Sequence, residues 1–370
     1  MRNRRRSDGR SDGLVPLESL PIEEIGTVPE LLRAMSRTAF GGRNLGEAFQ
    51  VLLEMIRDRG CRVVLTVSGA MTVAKQGRII CRMLDRGWVD AVVATGALIA
   101  HGLTESLGLV HYRCESRHSD EYLYRRGYNR IYDTLEMERN LDDVEELLHS
   151  VLTREEPEGG TWSSAGLCRA LGRRLSEDDR GPGILGSAFR SGVPVFIPAF
   201  TDSEIGLDLA NWAMEREMPA TREGREAAEP DEIFRAVPPF NPFLDLQEYA
   251  RFAAAAPRLG IFTIGGGVPR NWAQQVGPYF EVAVNRLGIR RPPPRFRYGV
   301  RICPEPDHWG GLSGCSYAEG VSWGKFVSPE EGGRYAEVHA DATLVWPLLM
   351  RGLLEELGDA GVAPANRGES

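Results

Sequence analysis

Apolar positions along the chain fall into two alternating patterns: short β-branched runs, and longer stretches repeating every three or four residues. From Val28 to about Arg59, the series Leu31, Leu32, Met35 and then Leu45, Phe49, Leu52, Leu53, Ile56 has helical spacing and predicts two helices. Arg62-Val-Val-Leu-Thr-Val67 is apolar on both sides of any pleat and predicts a buried parallel strand. It ends in Ser68-Gly69-Ala70, after which Val73 to Arg86 predicts a helix. Val89 to Thr95 repeats the unit, closed by Gly96-Ala97, with a helix over Leu98 to Leu107. His111 to Arg130 is polar and carries no period. Helices are predicted near Asp142–Leu152 and Ser163–Leu175, with a charged loop from Ser176 to Gly183. Val193 to Ala199 is a third strand, and Asp202 stands just past it, placed to cap the next helix.

Met218 to Pro242, rich in Pro, Glu and Arg, is expected to be a surface insertion, and Asn241-Pro242 opens a helix that runs to Ala256. Leu259–Ile264 is a fourth strand, leading into Gly265-Gly266-Gly267 and a helix from about Arg270 to Val284. Phe296–Cys303 and Tyr335–His339 are further strands, and a final helix over Thr343–Leu357 begins at Asp341. Alternating β and α elements imply an α/β fold with a doubly wound, mostly parallel sheet. Ligands of such sheets bind at the carboxyl ends of the strands, where Ser68, Thr95, Asp202, Gly265 to Gly267 and Asp341 all fall. Residues 1 to about 28 are polar and Pro/Gly-punctuated and are expected to form a flexible basic arm. Residues 29–358 are expected to form one domain, followed by a flexible tail from 359 to 370.

Composition narrows the class. With 370 residues, 42% hydrophobic and 26% charged, the chain is long enough for one large α/β domain. A net charge of −8 argues against general nucleic-acid binding and suits a cationic substrate. The six cysteines show neither CxxC pairing nor zinc-ligand spacing, so no metal site is expected, and they read as small hydrophobes in a reducing compartment. Without an 18-residue apolar run no membrane span is expected. Arg2 to Arg6 resembles the charged start of a signal peptide but lacks an apolar core after it, so a cytoplasmic protein is expected.

The chemistry concentrates in Ser313-Gly-Cys-Ser-Tyr-Ala-Glu-Gly-Val-Ser-Trp-Gly-Lys325. Of the 44 basic residues only two, Lys75 and Lys325, are lysines. A lysine kept in an arginine background is a candidate for work that needs a losable proton, such as attack on a carbonyl or imine carbon. Glu319 and Trp323 lie within six residues of it. A carboxylate can bind an ammonium end, and an indole face can hold an alkylammonium by cation–π attraction. The bland alternatives are a helix-start carboxylate for Glu319, core packing for Trp323 and a surface lysine.

At these residues the chain resembles the deoxyhypusine synthase family. Glu319-Gly-Val-Ser-Trp-Gly-Lys325 is similar to the family's E-A-V-S-W-G-K segment around its catalytic lysine. Gly265-Gly-Gly-Val268 is similar to its GGGV turn, and Pro194 to Asp202 to its P-V-F-x-P-A-x-T-D segment. Val67-Ser68, Val89-Asp90, Asn129-Arg-Ile131 and Ala340-Asp341-Ala342 match in order, so the resemblance covers roughly residues 40 to 355. It implies a Rossmann-like, NAD-binding fold and a homotetramer with active sites at subunit interfaces. It also implies a redox-neutral aminoalkyl transfer from a polyamine such as spermidine, through an imine on the lysine. Carried over residue by residue, it assigns catalytic roles to Lys325, Glu319 and Trp323. The cofactor positions are Ser68, Gly69, Ala70, Met71, Thr72, Thr95, Gly96, Ala97, Asp202, Asp341 and Ala342, and the amine pocket takes Gly266, Asn271, Ser313, Gly314 and His101.

Departures cluster in that pocket. A family histidine pair followed by asparagine reads here Asn271, Trp272 and Gln275; a family glutamate falls on His101, and a family aspartate on Leu207, beside Asp208. Glu204, Glu305 and Asp307 are candidate replacements for the missing anions, and His101 or His308 for the proton carrier. This pattern resembles the bacterial, homospermidine-synthase-like branch, whose expected acceptor is a small amine. A synthase that modifies a lysine of a translation factor, and a non-catalytic NAD- or polyamine-binding protein, are the alternatives.

Overall fold

The computed structural model describes residues 8–115, 118–178, 182–217, 235–288 and 290–358. The expected tail from 359 to 370, the run Arg2 to Arg6 and most of the Met218–Pro242 insertion lie outside the described residues. At the centre is a six-stranded, wholly parallel sheet in the order β6-β2-β1-β7-β8-β9. The strands are β1 (Cys61–Val67), β2 (Ala91–Ala94), β6 (Val195–Phe196), β7 (Arg258–Ile264), β8 (Phe296–Ile302) and β9 (Arg334–Val338). All six occupy predicted runs.

The runs are apolar throughout because both faces of the sheet are covered. Val63, Leu65 and Val67 point into one core with Phe262 and Ile264, against Phe49, Leu52 and Trp346 from flanking helices. Val64, Leu259 and Ile261 point into the other, against Tyr249, Ala253 and Phe326. The period of two divides each strand between the layers. Thr66 and Thr263 are paired across β1 and β7 and join hydroxyls at 2.9 Å, which satisfies two polar groups inside an apolar layer.

Chain order explains where a crevice opens. From β1 the chain moves outward through β2 to β6, then returns to β7 beside β1 and moves the other way through β8 and β9. The loops after β1 and β7 therefore diverge to opposite sides, which makes a topological switch point between Ser68 and Gly265.

Several expectations are corrected. The polar stretch after His111 holds a second sheet, antiparallel and in the order β3-β5-β4, from Tyr112–Arg113, Thr134–Met137 and Tyr128–Ile131. A helix over Ile184–Ser191 follows the charged loop and was not predicted. The third strand is only two residues long. Pro194 and Pro198 bracket it, and proline cannot donate to a ladder, which suits this edge position. The predicted Arg270–Val284 helix is two helices, Gly267–Gln274 and Val276–Leu287, meeting at exposed Gln275.

Candidate functional site

Two groups of predicted residues meet along the sheet, and a third stands apart. At the switch point, the Ser68 Oγ accepts from the Gly266 amide at 2.8 Å and donates to the Ile264 carbonyl at 3.3 Å, which ties the β1 and β7 turns together. A Cβ on Gly265 would lie 2.3 Å from that hydroxyl oxygen, so only glycine permits the contact. Gly69 and Gly267 have positive φ, and a Cβ at either would meet no atom within 4 Å, so the crevice is open on both sides. Thr95 caps the helix Gly96–Ser106 by accepting from the Leu98 amide, and its hydroxyl donates to the Gly69 carbonyl at 3.2 Å. Thr72 is buried and donates to the Leu98 carbonyl at 2.9 Å. Ala70, Met71 and Ala97 lie in these same two turns. Open backbone and a helix N-terminus are the features that receive the pyrophosphate of a dinucleotide, so these residues fit one.

At the far end of β9, Asp341 caps the helix Ala342–Leu357 by accepting from the Thr343 amide at 2.7 Å. Asp202 does not cap its helix. The first helical bonds, from the Gly206 and Leu207 amides, go to the Ser203 carbonyl, and Asp202 is exposed one residue earlier.

Lys325 is built from the opposite end of the sheet. Its carbonyl accepts from the Phe296 amide at the start of β8, and not at a strand's carboxyl end. From there the side chain reaches the helix after the glycine turn, where Nζ donates to Asn271 Oδ1 at 3.2 Å. Lys325 is 7% exposed. Burial lowers its pKa, the Arg270 guanidinium adds to that, and Cys315 and Glu319 oppose it. Among the described residues it has no carboxylate ion pair. Trp323 is 60% exposed, with its ring centroid 6.0 Å from Nζ, so it is not a core residue. Glu319 is exposed in the first turn of the helix Tyr317–Ser322, whose cap Ser316 accepts from the Glu319 amide.

The loop between these groups is held by two buried arginines that sequence reasoning missed. Arg270 donates to the Ser313 carbonyl at 3.3 Å and the Cys315 carbonyl at 2.6 Å. Arg301, 1% exposed, donates to the same two carbonyls and to Asp307 and Glu337. Neither carries a motif, and only the convergence of strand, helix and loop reveals them. Gly266 touches Ser313, since a Cβ there would lie 2.6 Å from the serine Cβ, and so links the crevice to this loop. Gly314 packs against Asp307 in the same way. Of the altered trio only Asn271 faces the amine. Trp272 packs tilted against Tyr249 at 4.9 Å between centroids, at the edge of the second core, and Gln275 is exposed.

His101 belongs to the third group. Its Nδ1 lies 2.6 Å from Glu136 Oε2, and His111 Nε2 lies 3.4 Å from Glu136 Oε1, which accepts from the Thr104 hydroxyl at 2.7 Å. Burial pushes Glu136 up, but His101 and His111 outweigh it and hold the carboxyl down at about 2. Glu204 and Asp208 lie near. Burial, then repulsion from Glu145, Glu204 and Asp142, pushes Asp208 up to about 7. Leu207, on which the family aspartate falls, is 59% exposed. Asp307 is engaged by Arg301, and His308 is exposed beside Trp309.

The chain thus combines a parallel α/β sheet, an open switch point and a buried lysine beyond the glycine turn. Comparison with known proteins assigns the family. The deoxyhypusine synthase family matches residues 30–353. A relative from Methanosarcina acetivorans, named "Probable deoxyhypusine synthase 2", is 34% identical, with 90% of this chain and 88% of that protein covered. A "Deoxyhypusine synthase-like protein" from Elusimicrobium minutum is 29% identical, covering 90% and 82%. A crystal structure from Entamoeba histolytica assigned to the same family superposes with a TM-score of 0.54 over 91% of this chain and 96% of that one, at 15% identity, a likeness of fold. The chain belongs to the deoxyhypusine synthase family, whose members are alkyl-group transferases that use NAD and act on spermidine.

Proposed function

We propose that this chain is an NAD-dependent aminoalkyl transferase that carries its fragment as an imine on Lys325 and passes it to a small amine acceptor. The observation that carries this reading is the setting of the Lys325 amine. It is buried, held by a neutral amide oxygen at 3.2 Å, and its pKa is lowered by that burial, so a larger fraction is neutral and nucleophilic at a given pH than for a free lysine. The switch-point turns Ser68 to Thr72 and Thr95 to Ala97, together with Asp202, Asp341 and Ala342, would hold the dinucleotide. When bound, it accepts a hydride from the donor amine and later returns it.

Lys325 Nζ adds to the carbon of the resulting donor imine, and the C–N bond to the departing diamine breaks, so that fragment leaves carrying the transferred proton. The acceptor amine then adds to the Lys325 imine and displaces Nζ, leaving a product imine whose reduction would draw on the hydride the dinucleotide would supply. Trp323 offers its face to the alkyl chain, Glu319 an anion to its ammonium end, and Asn271, Gly266, Ser313 and Gly314 line the path. Glu204 offers a carboxylate for the second ammonium. Exposed apolar residues on the loop before Ser313, Trp309 at 71% and Leu312 at 50%, with Trp323 at 60% beside the lysine, support an assembly in which a second copy completes each site.

A small amine is favoured over a protein lysine because the family histidine pair is absent and the side chain that faces Nζ is the neutral Asn271. The names of the archaeal relatives favour the protein acceptor. Incubation with NAD, spermidine and either acceptor separates the two. Release of 1,3-diaminopropane that depends on a small amine supports the proposal, and release that depends only on a protein lysine overturns it.

A further inference from the structure

His101 is on the helix Gly96–Ser106, His111 on the segment before β3, and Glu136 in β5. Their His101 Nδ1, His111 Nε2 and Glu136 Oε2 atoms are buried without an aligned partner, and one ligand atom from each residue lies within 4.8 Å of the others. All three atoms are sealed from solvent and none makes an in-line hydrogen bond. The His101–Glu136 approach of 2.6 Å is thus close but misdirected for a ring N–H. The side chains of His111 and Glu136 are each 1% exposed, and that of His101 is 11% exposed. Buried polar atoms normally find well-aimed partners; here two of the three meet only in a misdirected ion-pair approach and the third finds none, a strain that a shared cation would relieve.

We propose that these residues bind a first-row divalent transition-metal ion, with Zn²⁺ the simplest occupant. Two imidazoles and a carboxylate are the donor set of open three-ligand sites. Ligands about 2.1 Å from an ion stand roughly 3–3.5 Å apart, so the cluster needs to open by only about half an ångström. Support behind the ligands is already present, because the Thr104 hydroxyl fixes the other Glu136 oxygen at 2.7 Å. The ion pins the small β3-β5-β4 sheet to the body of the domain. Lys75 opposes it. Its Nζ lies 2.8 Å from His111 Nδ1 and 2.9 Å from Glu105 Oε1. Metal on Nε2 requires a proton on Nδ1, which an ammonium cannot accept, so Lys75 must swing to Glu105 alone when the ion enters.

The test uses the full chain with Zn²⁺, and with Co²⁺ as a spectroscopic probe. After dialysis the protein should retain on the order of one ion per chain, and Co²⁺ should show the bands of a low-coordinate nitrogen- and oxygen-ligated site. Glu136→Gln should weaken binding by about 100-fold or more, taking the 10- to 100-fold cost of losing an outer-shell partner as the lower bound for a direct ligand. Lys75→Met, at a side chain 48% exposed, removes only the competitor and should tighten binding about tenfold. If Glu136→Gln fails to fold, the wild-type spectrum and Lys75→Met still decide. No retained metal with an aqueous Co²⁺ spectrum overturns the proposal, as does binding that both variants leave unaltered.

Discussion

Replacing Asn271 by Asp would put a carboxylate where a neutral amide oxygen now stands, with almost no change of shape. The separation from Lys325 Nζ is 3.2 Å, at which unit charges attract by ~5 kcal/mol at an effective dielectric constant near 20. Measured pairings of this kind move a pKa by about 1–3 units, because part of the attraction offsets desolvation. In the wild type, burial depresses the Lys325 pKa below that of a free lysine. The folded chain therefore binds fewer protons here than the unfolded chain between the depressed value and the ordinary one, and stability rises with pH through that window. Asn271→Asp reverses the direction, and the neutral amine at neutral pH should fall by about 10- to 1000-fold. Pulse acylation across a pH series, with mass spectrometry of the Lys325 peptide, reads the midpoint directly, and single-turnover imine formation should fall by the same factor. A wild-type midpoint at the ordinary lysine value, or one unchanged in the variant, would refute the reasoning.

Arg301→Met should destabilise the fold by about 3–5 kcal/mol, read as a lowered midpoint in urea. It strands the part-buried Glu337 carboxylate and releases the Ser313 and Cys315 carbonyls; a loss under about 1 kcal/mol would show the loop to be held elsewhere. Asp208→Asn should gain stability over the wild type as pH rises from about 4 to about 7 and level off above. The raised carboxyl makes the folded state bind the extra proton in that window, so wild-type stability falls with pH there. A pH-independent difference would rule out the raised value. Gly96→Ala would place a Cβ 2.2 Å from the Ser203 Oγ and should cost about 1–3 kcal/mol, seen as a lower Tm.

The sheet was legible because its strands are buried on both faces, and continuous β-branched runs such as Val63 to Val67 have few other readings. The antiparallel β3-β5-β4 sheet was not legible. Its strands are two to four residues long, and the two buried residues of β5 are one apolar and one acidic, so no period accumulates. The break at Gln275 was hidden for the opposite reason, since apolar spacing continues across it. Lys325, Glu319 and Trp323 could be singled out from residue type alone, but their place at the start of β8 could not. The Arg301 fork and the His101–His111–Glu136 cluster draw on three or four segments each, and local spacing carries no trace of such meetings.

Lysine scarcity singled out two residues, and the structure separates them. Lys75 is 48% exposed in its side chain and salt-bridged to Glu105 at 2.9 Å, a contact a guanidinium can make as well. Lys325 is buried against an uncharged oxygen, where a permanently charged group has no anion to offset its desolvation. Arginine is the compositional default of this chain, so substitution to arginine asks each lysine the same question. Lys75→Arg should leave Tm and transfer rate within error of wild type. Lys325→Arg should abolish transfer, because the guanidinium keeps its proton throughout the accessible pH range and cannot form the imine. It should also lower Tm, since a larger, permanently charged group enters a buried place where Asn271 Oδ1 is the acceptor it meets. Transfer surviving in Lys325→Arg would mean that the lysine binds substrate without being the attacking group.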